Sequence, residues 1–100
     1  METEESSEDM KETAVTVKNE AGIHVRPSGI IADAMNKYSG TVIFLRNGKK
    51  TTYSSVLDII AMGLQKGDTL RLLVSGDDEI NFVKKIKKLF QTHFDFPPKN

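Results

Sequence analysis

The Asn47-Gly48 dipeptide restricts the fold of this chain more than any other pair of residues. It follows "TVIFLR" (Thr41 to Arg46) and precedes "TTYS" (Thr51 to Ser54), two short β-rich runs. Asn-Gly readily supplies the positive φ angles of a tight hairpin, so "NGKK" reads as a turn between two antiparallel strands. Two more strands flank this centre. "TAVTVK" (Thr13 to Lys18) alternates and puts Val15 and Val17 on one face, and "DTLRLLVSG" (Asp68 to Gly76) alternates again.

Helical spacing separates the strands. From Pro27, the residues Ile30, Ile31, Ala34, Met35 and Tyr38 share one face of a helix that Gly40 ends. Proline is tolerated in a first turn, where its missing N–H has no partner to lose. "SVLDIIAMGL" predicts a short helix opened by a Ser55-x-x-Asp58 capping box and interrupted at Gly63. "DDEINFVKKIKKLFQTHF" predicts a last helix with acids first, lysines later, and a buried stripe of Ile80, Val83, Ile86 and Phe90. The order β-α-β-β-α-β-α points to a two-layer α+β domain, a mainly antiparallel sheet with helices over one face.

One hundred residues suffice for one domain and one core. "METEESSEDMKE" carries six acids, one lysine and almost nothing apolar, so residues 1–12 are expected to be a disordered acidic tail and 13–100 the folded domain. Without that tail, thirteen basic and eight acidic residues remain, a net charge of +5 that suits anionic ligands or acidic partners. The absence of cysteine excludes disulfide frameworks, thiolate zinc sites and thiol nucleophiles. Two histidines far apart make a poor metal site, so neither metal nor cofactor is expected. The N-terminal sequence lacks the apolar core of a signal peptide, and no apolar run approaches membrane-spanning length, so a cytoplasmic protein is expected.

The chemistry concentrates in "AGIHVRPSG" (Ala21 to Gly29). His24 lies where a loop becomes a helix, and N–H groups at a helix start have no internal partners. The helix dipole adds about half a positive charge there, which makes such an end an anion site suited to phosphate. Arg26 adds a planar fork of donors that matches phosphoryl oxygens. Gly22 and Gly29 limit bulk around the ring. A phosphoryl group on the imidazole would be solvated by these donors and yet remain labile. The chain has no Gly-rich phosphate loop and no paired carboxylates placed for magnesium, so it suits a relay that receives an activated group and passes it on. The plainer reading makes His24 a surface or capping residue.

"GIHVRP" resembles the Gly-hydrophobic-His-x-Arg-Pro signature of HPr, the histidine-containing phosphocarrier family of the bacterial phosphoenolpyruvate-dependent sugar phosphotransferase system. "NGKKTTYSSVLDIIAMGLQKGDTL" resembles that family's regulatory serine region and the Met62-Gly63 pair after it, and "SGDDE" its entry to the last helix. The resemblance runs from about Thr13 to the last helix. It implies an open-faced β-sandwich, four antiparallel strands with three helices on one side. It also implies that His24 accepts phosphate from enzyme I through Nδ1 and donates it to IIA proteins, with Arg26 binding the phosphate. Ser55 matches the serine that HPr kinase phosphorylates from ATP. Val56, Leu57 and Ile60 match partner-contact positions, and with Met62 and Gly63 make the expected docking surface of a monomer.

Three positions depart from the family pattern. Ser54 stands where a basic residue is frequent, Asp58 where glycine is frequent, and Ser28 where alanine is common, adding a hydroxyl near the phosphate site. Two rival readings follow from the same residues. One is a regulatory homologue, centred on His24 or Ser55, without sugar transport. The other is a small nucleic-acid-binding domain using Lys84, Lys85, Lys87 and Lys88, but no aromatic platform interleaves these lysines and they read as a solvated face. His93 has no arginine or proline beside it and reads as an ordinary surface residue.

Overall fold

In the computed structural model, which describes residues 10–92, the chain runs β1 (Lys11–Thr16), α1 (Val25–Asn36), β2 (Thr41–Arg46), β3 (Lys49–Thr52), α2 (Val56–Ala61), β4 (Thr69–Ser75) and α3 (Glu79–Phe90). The expected element order is present. Asn47 at φ 52° and Gly48 at φ 78° form a two-residue loop, and Arg46 pairs with Lys49 at the hairpin's end. Lys49 and Lys50 therefore belong to the strand rather than to the turn.

The four strands form one antiparallel sheet in the order β1-β4-β2-β3. Alternation decides which face is covered. Val15, Val42, Phe44, Leu70, Leu72 and Val74 turn to the helices and are buried, whereas Ile43, Leu45 and Leu73 on the other face are only half-buried. The helices close the core with Ile31, Ile59, Ile86 and Phe90, all fully buried. Phe44 lies at its centre, edge-on to Phe90 at 6.3 Å and to Tyr53 at 6.1 Å. Burial of each such side chain contributes about 1.5–3 kcal/mol, so the core orients the sheet against the helices.

Several local expectations are corrected. β1 starts at Lys11, opposite Val74, so Lys11 and Glu12 extend the sheet instead of ending a tail. Residues 1–9, His93 and "DFPPKN" lie outside the described residues. Ile30 is 43% exposed, because the buried face of α1 is Pro27, Ser28, Ile31, Ala32, Ala34 and Met35. Ile80 is 55% exposed, since α3 buries Phe82, Ile86 and Phe90 at four-residue spacing and Ile80 sits two residues, about 200°, from Phe82. Gly40 does not stop α1, which ends at Asn36 with Lys37 as its cap. It permits a close approach instead: a Cβ on Gly40 would stand 2.1 Å from the Ser75 carbonyl oxygen. Tyr38, beyond the helix, stacks on Phe82 at 3.8 Å.

Candidate functional site

The site begins with the turn that delivers the chain to α1. Asn19 is fully buried, and its Nδ2 donates to the Gly22 carbonyl at 2.7 Å while the Gly22 N–H donates to the Asn19 carbonyl at 2.9 Å. Gly22 has φ +76°, and a Cβ there would stand 2.4 Å from the Leu64 carbonyl oxygen. Glycine is required on both counts. Next, the Ile23 N–H donates to that same Leu64 carbonyl at 2.9 Å. The loop before α1 is thereby laid against the loop after α2.

His24 follows as the N-cap of α1, with extended backbone at φ −90° and ψ −165°. Its carbonyl accepts the first helical bond from the Ser28 N–H at 2.9 Å. Its side chain makes no capping hydrogen bond and is exposed. An N-cap whose ring is uncommitted leaves the helix start open to an outside acceptor. Among the described residues the N–H groups of Val25 and Arg26 have no partner, and Pro27 has none to offer. Arg26 is exposed in the same turn and has no ion-pair partner among the described residues. Ser28 turns inward: it is fully buried and its Oγ donates to the Ile23 carbonyl at 3.4 Å, so its hydroxyl braces the loop rather than facing the anion position.

A shallow concavity runs beside the ring, lined by Ile23, His24, Val25, Ile60, Gly63 and Leu64 among others. Val25 is 71% exposed and Ile60 37% exposed, so the rim is apolar. Lys66 and Glu20 form an ion pair at 2.6 Å on the same concavity. Of the expected docking residues, the structure brings Ile60 and Gly63 to His24, with Gly63 exposed at φ +57°. Leu57 is 69% exposed on α2 but does not line this concavity. Val56 and Met62 are half-buried and packed on the core, so they present little surface to a partner. Val25 lies inside the local motif, but only its exposure in the fold makes it part of the rim.

Ser55 is the N-cap of α2 and is half-buried. The expected capping box is present. The Leu57 N–H donates to Ser55 Oγ at 3.2 Å, and the Ser55 N–H donates to the Asp58 carboxylate at 3.0 Å. Asp58 takes two more bonds, from the Ser54 N–H at 2.6 Å and from Ser54 Oγ at 3.0 Å. The Ser55 N–H, then the Ser54 N–H, hold the Asp58 carboxyl below the usual carboxylate range. A carboxylate thus already holds the Ser54 and Ser55 N–H groups just ahead of this helix.

Among the described residues no group of three His, Cys, Asp or Glu side chains is placed to hold a metal ion, and no helix is long and apolar enough to cross a membrane. Lys84, Lys85, Lys87 and Lys88 are exposed along α3.

A family model described as the PTS HPr component phosphorylation site matches residues 11–92. The phosphocarrier protein HPr of Treponema pallidum is 32% identical over 81 residues, which span 81% of this chain and 92% of that protein. The HPr-like protein Crh of Halalkalibacterium halodurans is 27% identical over 70 residues, 70% of this chain and 83% of that one. Among solved structures, HPr-C-His from Thermoanaerobacter tengcongensis superposes with a TM-score of 0.74 at 30% identity, covering 81% of this chain and 91% of that one.

Proposed function

The chain belongs to the HPr phosphocarrier family of the bacterial phosphotransferase system, and we propose that within it His24 is the residue that carries the phosphoryl group. The observation that carries the reading is the uncommitted, exposed His24 ring at the N-cap of α1. The Nδ1 lone pair attacks phosphorus on phosphorylated enzyme I, an N–P bond forms, and the donor's bond to phosphorus breaks. Two backbone N–H groups, the helix dipole and the Arg26 guanidinium then share the phosphoryl charge. None of them forms a covalent bond, so the group stays transferable to a IIA protein. The protein is a carrier with a transient phosphohistidine, not a turnover enzyme.

Enzyme I and IIA proteins would dock on the apolar rim of Val25, Ile60 and Gly63, with Leu57 at its margin. Ser55 is the candidate for a second phosphorylation, by an HPr kinase. The match to an HPr-like protein supports keeping a regulatory role beside transport.

The deciding experiment is incubation with enzyme I and labelled phosphoenolpyruvate, followed by acid treatment. The expected result is a label that acid removes and that His24→Ala abolishes while the circular dichroism spectrum is kept. An acid-labile label on the variant overturns the assignment to His24.

A further inference from the structure

We propose that Arg46 is a positioning residue for the phosphoryl site, although it lies at the far end of β2 and outside every motif of the chain. The inference rests on the phosphocarrier reading above. One arm of the guanidinium donates to the Met62 carbonyl, the cap of α2, and the other donates to Asp68 Oδ2 at 3.0 Å. A cation on the last carbonyls of a helix is favourable, and only a planar fork reaches both acceptors at once. The same Asp68 oxygen accepts the Gln65 N–H at 2.8 Å. Asp68 is pinned in turn by the Val17 N–H on its carbonyl at 2.9 Å, and the Gly67 N–H donates to the Val17 carbonyl at 2.9 Å.

Arg46 therefore closes both ends of the loop 62–68. That loop holds the Leu64 carbonyl, which accepts the Ile23 N–H one residue before His24. It also holds Gly63, which lines the concavity beside the ring. The guanidinium sets the spacing between the His24 loop and the Ile60–Gly63 rim through the Met62 carbonyl, without touching His24 or its loop. His24 and the N–H groups of Val25 and Arg26 move as one unit with α1, so loosening the loop leaves the acceptor itself intact. It blurs the surface on which a partner must find that acceptor.

The consequence is a split in the kinetics of phosphorylation by enzyme I, with this protein as substrate. Arg46→Met raises KM about tenfold, a fraction of the roughly hundredfold that a 1 Å misplacement can cost, and leaves kcat within about twofold. Arg46→Lys, which cannot bridge two acceptors, recovers part of the loss, and Asp68→Asn reproduces part of it. Arg71→Met removes a different ion pair, to Glu12 on the opposite face of the sheet, and leaves KM unchanged. Amide exchange at Ile23 is measured on the same proteins and accelerates in Arg46→Met but not in Arg71→Met. An unchanged KM with a parental Ile23 exchange rate overturns the proposal, as does an equal fall in kcat for both arginine variants. If the parent protein takes no phosphate, the phosphocarrier reading fails separately, and Ile23 exchange alone decides whether Arg46 holds the loop.

Discussion

Asp58→Asn isolates the charge at the start of α2 with little change of shape. The carboxylate accepts three hydrogen bonds, from the Ser54 N–H at 2.6 Å, Ser54 Oγ at 3.0 Å and the Ser55 N–H at 3.0 Å. An asparagine keeps one acceptor oxygen but loses the charge assistance and the match to the helix dipole. Loss of a capping interaction of this kind costs about 1 kcal/mol, which lowers the melting temperature of a domain of this size by roughly 4–8 °C. The sign of the pH dependence follows from the folded carboxyl lying below its ordinary value, chiefly through the Ser55 N–H. The stabilisation is complete above the unfolded value of about 3.9 and vanishes as the pH falls through the lower folded value. The gap between parent and variant is therefore full near neutrality and closes in strong acid, where the protonated parent resembles the amide. Thermal unfolding followed by circular dichroism across that range measures the gap. A gap of the same size in strong acid, or none near neutrality, shows that the Asp58 charge does not stabilise the start of α2.

Arg26→Ala should slow transfer from enzyme I while the fold persists, and Arg26→Lys should recover only part, because a point charge lacks the fork; parental rates in both variants refute this. Asp58→Gly should raise phosphate incorporation at Ser55 by an HPr kinase, since the phosphate no longer meets a carboxylate already holding the local N–H groups; equal or lower incorporation shows that Asp58 does not restrain the serine. Gly22→Ala should cost about 2 kcal/mol or more through its left-handed backbone, with the Leu64 carbonyl adding a clash, and chemical denaturation would register it.

The helix start that carries His24 was legible in the sequence because its parts are local. His24, Arg26 and Pro27 occupy one helix start, and the backbone there dictates what side chains and N–H groups can do. The hairpin was legible for the same reason, and β2 has its expected bounds. The ends of β1 and β3 were not, because each strand begins where its partner allows: Lys11 extends β1 to meet Val74, and Lys49 starts β3 to meet Arg46. Ile30 and Ile80 show the limit of counting apolar residues, since a helix buries the face its neighbours select. Ser28 reads as part of the site but is turned to the Ile23 carbonyl by burial. The Arg46 bridge joins β2 to a loop on the far side of α2, and no spacing along the chain encodes such a contact.

The strand order β1-β4-β2-β3 also governs when this protein can exist at all. β4 separates β1 from the β2–β3 hairpin, so until Thr69–Ser75 has left the ribosome the first strand has no neighbour in the sheet. A nascent chain ending before Thr69 owns a hairpin and two helix-forming segments but no floor to lay them on. Asp68, with Val17 against it, arrives at the same moment. Pairings between distant segments are slow to form and come late in synthesis. A chain that stops before Thr69 thus lacks the sheet against which α1 and its His24 cap are packed, and the proposed phosphoryl acceptor has no fixed frame there.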